Sequence, residues 1–313
     1  MGDADVVVAD VRRSFGTVAA VRGASLEART GRVTGLVGPN GSGKTTLMLM
    51  LASLLAPDAG EIRVAGIDPV AEPQRVRALL GWMPDSLGAW GSLTARETIV
   101  VTGRLYGMSR GDAQGRASAL LDEVGLGPLQ GAPARILSRG QKQRLGLARA
   151  LVHEPRVLLL DEPASGLDPQ ARVELRVLLR RLAAEGRTIL ISSHVLSELE
   201  EVVDDAVFLV AGETVAADRV AAAGRRERPW RIRLADAATS GEPPLARIAA
   251  ALGRPATDLE IDRGEILVRI GADEEALRAL RALIADGLPV VEFAAATGRL
   301  EHTFLDLGRG EAP

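Results

Sequence analysis

The octapeptide Gly38-Pro39-Asn40-Gly41-Ser42-Gly43-Lys44-Thr45 fits the pattern G-x-x-x-x-G-K-[ST], in which glycines let backbone N–H groups curl around a phosphate. An ammonium at Lys44 would meet the β and γ oxygens, and the Thr45 hydroxyl would serve magnesium. A second pair of groups able to do chemistry is Asp161-Glu162, directly after the apolar run Val157 to Leu160. At the end of a buried strand, Asp161 would hold magnesium and Glu162 would orient an attacking water as general base. Read alone, two adjacent acids could equally open a solvated loop.

Such residues need elements to hold them. Val33 to Val37, Val157 to Leu160 and Thr188 to Ile191 are short, continuous apolar runs, as expected of strands covered on both faces in a parallel sheet. Helical patterns lie at Thr45 to Leu55, Gly140 to Val152 and Ala171 to Ala184. The alternation predicts an α/β core, with the glycine-rich loop between a strand and a helix. A hairpin at Val207 to Ala216, turning at Ala211 and Gly212, closes this region. The stretch Ala221 to Pro229 reads as a linker, with Gly224 and a charged run from Arg225 to Arg228. Beyond it, strand-like Trp230 to Leu234, helical Pro244 to Leu252, a hairpin over Leu259 to Ile270, amphipathic Asp273 to Asp286 and strand-like Leu288 to Phe293 give the order β-α-β-β-α-β. That order predicts a small α+β domain of ferredoxin-like type.

Composition narrows the function classes. The 313 residues carry 38 basic against 41 acidic side chains, a formal charge of -3, so no global positive field draws in nucleic acid. The absence of cysteine excludes disulfides and thiolate chemistry. No apolar segment approaches the roughly 18 residues of a membrane span, and Met1 to Asp10 lacks the basic start of a secretory signal, so a cytosolic location is expected. Among the 38 basic residues only Lys44 and Lys142 are lysine. In a chain that otherwise uses arginine, Lys44 marks a place that needs a compact ammonium.

Phosphate loop and paired acids together indicate a P-loop NTPase. Leu137-Ser138-Arg139-Gly140-Gln141 precedes a long amphipathic helix, and its Ser138 and Gln141 form a capping box that presents a helix N-terminus to an anion. The same pentapeptide resembles the ABC signature L-S-G-G-Q. Over roughly residues 5 to 220 the chain is similar to the ATP-binding cassettes of ABC transporters. The resemblance implies a cassette with a helical subdomain over residues 1–220, followed by the linker at 221–229 and an accessory domain at 230–313.

From that family the chain inherits further expectations. Phe15 matches the aromatic position that stacks on adenine; Ser165-Gly-Leu-Asp168 matches a loop that communicates across a cassette dimer. His194 matches the switch histidine at the γ-phosphate. The resemblance implies ATP and Mg²⁺ as ligands, with Thr46, Ser138, Gly140 and Gln141 joining the nucleotide-binding set. Two cassettes would pack head to tail, the phosphate loop of one against the signature of the other, beneath a separately encoded transmembrane permease. Asp85, in Trp82-Met-Pro-Asp85, stands where the family has a glutamine, and would approach magnesium with a shorter reach. Arg139 stands where the family has glycine, either adding charge near the phosphates or pointing into solvent. Trp82, Leu87, Trp90 and Leu93 lie where a permease would dock, or fill the subdomain core. Leu300-Glu-His-Thr-Phe304-Leu resembles the accessory region of ABC-2 type exporters, among them those of the daunorubicin type.

Two rivals compete with a transporter subunit. A GTPase needs N-K-x-D, and the two lysines follow Gly43 and Gln141, which removes it. A soluble cassette acting on DNA or ribosomes would share every motif above. DNA-repair cassettes insert a long coiled coil between phosphate loop and signature, whereas Lys44 and Ser138 are 94 residues apart, and no second phosphate loop is present as in fused ribosome-acting cassettes.

Overall fold

The computed structural model describes residues 4–86, 91–224, 226–235, 245–262 and 265–309. The chain forms two compact units, Met1–Val215 and Ala216–Pro313. In the first, chain order runs β1 (Ala4–Phe15), β2 (Val18–Arg29), β3 (Val33–Val37), α1 (Lys44–Leu51), β4 (Ala59–Val64), α2 (Pro73–Leu79) and β5 (Leu80–Met83). The helices α3 (Ala95–Leu105), α4 (Arg110–Glu123) and α5 (Arg139–Leu151) follow, then β6 (Val157–Asp161), α6 (Pro169–Ala184), β7 (Thr188–Ser193), α7 (Leu196–Glu200), β8 (Asp205–Val210) and β9 (Glu213–Thr214).

These strands make one sheet in the order β4-β1-β2-β9-β8-β3-β7-β6-β5. The segment β8-β3-β7-β6-β5 is parallel, while β1, β2 and β4 pair antiparallel at one side. Every residue of β3, β6 and β7 is buried, which is why these strands read as unbroken apolar runs rather than as alternation. Each Leu of Leu158 to Leu160 is fully buried and contributes about 1.5–3 kcal/mol through its removal from water. Because β3, β7, β6 and β5 are adjacent and parallel, the loops leaving their C-terminal ends gather along one edge of the sheet.

Local chemistry explains the element ends. α1 stops at Leu51, short of the predicted Leu55, because Ser53 adopts a left-handed backbone (φ 57) that no helix continues. α3 starts on a capping box of Thr94 and Glu97, and α5 on one of Ser138 and Gln141. Asp168 caps α6 by accepting from the Ala171 N–H at 2.9 Å, with Pro169 in the first turn. The predicted hairpin turn at Ala211 and Gly212 has φ of 48° and 83°, the doubly left-handed turn that matches strand twist. α3 and α4 pack through the fully buried Ile99, Ala113, Ala117, Leu120 and Leu121 and, with α5, form the helical subdomain.

The second unit contains α8 (Ala217–Ala223), β10 (Arg228–Leu234), α9 (Leu245–Leu252), β11 (Leu259–Asp262), β12 (Glu265–Ile270), α10 (Asp273–Ala285), β13 (Val290–Ala295) and α11 (Arg299–Arg309). Its four strands lie antiparallel in the order β11-β12-β10-β13, which interleaves two β-α-β halves. Ile232, Ile266, Val268, Ile248 and Leu283 form its core. On the other strand positions, Arg231 bridges Glu265 (3.3 Å) and Glu292 (2.7 Å). The stretch 221–229, expected as a linker, instead holds the end of α8 and the start of β10, where Arg228 pairs with Ile270. Alanines favour the helix, and the ladder to β12 orders the charged residue. The turn expected near Asp262 to Gly264 falls partly outside the described residues.

Candidate functional site

The loop after β3 and the first turn of α1 wrap the Lys44 side chain. Its Nζ donates to the carbonyls of Gly38 (2.7 Å) and Pro39 (3.1 Å), so two loop carbonyls hold the ammonium. Burial pushes the Lys44 ammonium below the usual lysine range, against the opposing influence of Glu162 and Asp161. The cation is thus partly desolvated and faces two acids, a place where a phosphate gains strongly. Gly43 enters α1 at φ 101, and a Cβ there would stand 2.4 Å from the Ala20 carbonyl, so only glycine fits. No side chain caps α1, which leaves the N–H groups and partial positive charge of its first turn to a bound anion. The buried Ser42 hydroxyl has no protein partner.

Opposite the loop, Asp161 ends β6 at 3% exposure. It accepts from the Thr45 hydroxyl (2.9 Å) and from Ser192 of β7. The next residue, Glu162, is left-handed at φ 52, a strained conformation held by its N–H donating to the carbonyl and hydroxyl of Ser192, each at 3.2 Å. This turn aims the two acids differently: Asp161 toward Thr45, and Glu162 toward His194, whose Nδ1 lies 2.9 Å from Glu162 Oε2. His194 is positioned from behind, because the 196–204 segment is tied to α6 by Arg172–Glu198 (2.8 Å), Arg176–Glu201 and Arg180–Asp204 (2.5 Å). Burial and the nearby Glu162 raise the Glu198 carboxyl, with Arg172 opposing.

Together these groups border a cleft of ≈ 400 Å³ lined by Ala20, Asn40, Gly41, Gly43 to Thr46, Asp85, Asp161 and Glu162. Its donors suit a hard cation: the Thr45 hydroxyl and the carboxylates of Asp161 and Asp85 are all oxygens, and magnesium typically takes one or two protein carboxylates plus substrate phosphates. Among the described residues no cluster of three His, Cys, Asp or Glu side chains stands ready to hold a metal alone, so phosphate oxygens would have to complete the shell.

Other predicted residues lie elsewhere. Phe15 ends β1 with its ring about half exposed and the Arg13 guanidinium 4.9 Å from its centroid; it sits on the hairpin whose returning strand carries Ala20. Ser138, Gly140, Gln141 and Asp168 do not line the cleft of their own chain. Gly140 packs on the 166–167 backbone, where a Cβ would meet the Gly166 carbonyl at 3.1 Å, and Asp168 serves as the α6 cap. Asp85 does line the cleft, with its carboxylate 3.8 Å from Arg139 and its carbonyl held by Gln143 (3.1 Å). Trp82 packs against the core of the first unit, whereas Leu87 and Trp90 fall outside the described residues. Sequence reasoning missed Ser192 and Gln143, whose roles follow from strand adjacency and carry no local spacing signal.

The comparisons with known proteins agree with this geometry. The family model described as ABC transporter matches residues 21–165. The daunorubicin resistance ATP-binding protein DrrA3 of Streptomyces coeruleorubidus is 32% identical over 98% of this chain and 96% of its own length. The probable multidrug ABC transporter ATP-binding protein YbhF of Escherichia coli is 38% identical over 90% of this chain, which spans about half (49%) of YbhF. Among solved structures, an ATP-binding subunit of an ABC transporter superposes with a TM-score of 0.63 at 27% identity, covering 69% of this chain and 91% of that one. The dimeric cassette MJ0796, bound to ADP and Pi, gives 0.63 at 25% identity over 67% and 97%. With a phosphate loop, paired acids and a capped signature helix in one unit, and with DrrA3 matched along nearly its whole length, the chain belongs to the ATP-binding proteins of the ABC transporter family.

Proposed function

We propose that this chain binds ATP with magnesium and hydrolyses it, as one of two paired cassettes, to drive export through a separately encoded membrane permease. The observation that carries the reading is the convergence of Lys44, Thr45, Asp161, Glu162 and His194 at the adjacent ends of β3, β6 and β7. Lys44 exchanges the loop carbonyls for phosphate oxygens, and the uncapped start of α1 adds its N–H groups. Thr45 and Asp161 hold magnesium, which when bound neutralises charge on the phosphates. Glu162 orients the attacking water and receives its proton at a carboxylate oxygen, while His194 holds that carboxylate in place. Phe15 supports the adenine ring. Ser138, Gly140, Gln141 and Asp168, which lie away from their own chain's cleft, serve the nucleotide of the second cassette; MJ0796, a structural neighbour, is dimeric.

The printed names of relatives, daunorubicin resistance and Nod factor export among them, support an export role and leave the cargo open. Among the described residues no helix is long and apolar enough to cross a membrane; in this reading a partner supplies the channel and the chain works at the cytoplasmic face of the membrane. The test is Glu162→Gln, which keeps shape but loses the base. ATP binding should persist while steady-state hydrolysis falls by about 10²- to 10⁴-fold. Near-normal turnover in the variant would remove Glu162 from the base role.

A further inference from the structure

One residue of the cleft wall and one of the signature turn meet each other. Arg139, first residue of α5, donates from Nη2 to the Ser165 hydroxyl at 2.6 Å and lies 3.8 Å from an Asp85 carboxylate oxygen. Its stem crosses Gly166, where the bare α-carbon makes room: a Cβ there would stand 2.6 Å from Arg139 Cδ and 2.8 Å from Cγ. Arg139 is thus solvent-exposed but not free, because its guanidinium has partners in two other segments. It has a seat made by three separate segments: the signature turn, the Ser165–Gly166 turn and the loop after β5. Asp85 is in turn a wall of the cleft that holds Thr45 and Asp161.

From this geometry, and on the proposed ATP-binding reading, we infer that Arg139 and Asp85 are a matched pair: the Asp85 carboxylate is shared between Arg139 and the magnesium of the chain's own nucleotide. Arg139 is then a positioning residue. With the cleft empty it ties the signature turn to Asp85; with the cleft filled Asp85 turns to the divalent cation and Arg139 is released. Two observations make the exchange physically easy. The backbone of Asp85 is fixed by Gln143, which is 5% exposed and donates to its carbonyl, so only the carboxylate need rotate. The ion pair itself is open to water, its side chains 67% and 53% exposed, and such pairs are weak. A double charge nearby outcompetes a single exposed guanidinium.

The test is a double-mutant cycle in the full chain with Arg139→Gln, Asp85→Asn and the two combined, measuring equilibrium affinity for a fluorescent ATP analogue with magnesium and with EDTA. Both side chains are exposed, so the variants fold, and Arg139→Lys serves as a second probe that keeps the charge but not the two-pronged grip. Freeing Asp85 by Arg139→Gln should tighten binding with magnesium by roughly two- to five-fold, the range an exposed ion pair can contribute. It should leave affinity in EDTA unchanged. Arg139→Lys should fall between wild type and Arg139→Gln, and Asp85→Asn should abolish the gain. An equal effect of Arg139→Gln with and without magnesium, or in the Asp85→Asn background, would overturn the inference while leaving the ATP-binding reading intact. Failure of the unmodified chain to bind the analogue under both conditions would overturn both.

Discussion

His153 makes the first unit sensitive to acid. It follows the C-terminal end of α5, stacks on Tyr106 with ring centroids 3.8 Å apart and planes 2° from parallel, and places Nε2 3.2 Å from the Leu80 carbonyl. It thereby joins the signature helix, the helical subdomain and β5, whose next loop carries Asp85. Its Nδ1 is buried without a partner. Burial pushes the imidazole from its ordinary 6.5 down to about 4, with the bond to Leu80 opposing and the Arg116 charge adding to the fall. The unfolded chain therefore takes up a proton between these two values and the folded one does not. The stability linked to His153 is complete above pH 6.5, falls as pH falls, and is fully lost at about pH 4. At about 1.36 kcal/mol per pH unit the whole effect is about 3 kcal/mol, of which about 2 kcal/mol is lost by pH 5. Solvent reaching the partly exposed ring reduces that to about 1 kcal/mol. The urea midpoint of the first unit should then drop between pH 7.5 and 5 by about 0.5 M more in wild type than in His153→Phe, which keeps the stacked ring but cannot titrate. Equal drops in the two proteins would refute the assignment.

Two further outcomes are expected. Phe15→Ala should weaken ATP binding by about 1–3 kcal/mol, the worth of one base stacked on an aromatic ring, and leave inorganic triphosphate binding unchanged; competition assays with the two ligands decide it, and an equal loss for both removes Phe15 from the adenine role. A chain ending after Val215, where the two compact units divide, should fold and bind ATP with wild-type affinity. A folded fragment without nucleotide binding would make residues 216–313 part of the site.

The alternation of buried runs and amphipathic helices was legible in the sequence because β3, β6 and β7 are covered on both faces and leave no exposed positions. The phosphate loop was legible for a similarly local reason: Gly43, Lys44 and Thr45 act within one strand–turn–helix unit, and their backbone demands appear as fixed spacing. The same holds for the capping box of Ser138 and Gln141, which closes within four residues. Where local pattern and packing compete, sequence reading slips: Gly224 and the charged run suggested a linker, but pairing of Arg228 to Ile270 extends β10 into it.

The site itself depended on sheet order. Nothing in spacing says that β7 lies between β3 and β6, yet that adjacency brings Ser192 onto Asp161 and His194 onto Glu162. Likewise Arg139 and Asp85 each appeared in isolation as a departure from the family pattern, and became partners only when α5 and the loop after β5 were folded together. Hydrogen bonds and ion pairs between segments 30 to 60 residues apart depend on distances of a few ångströms. Periodicity fixes which face of an element is buried, but only the packed tertiary structure sets which buried or exposed groups come within reach of one another.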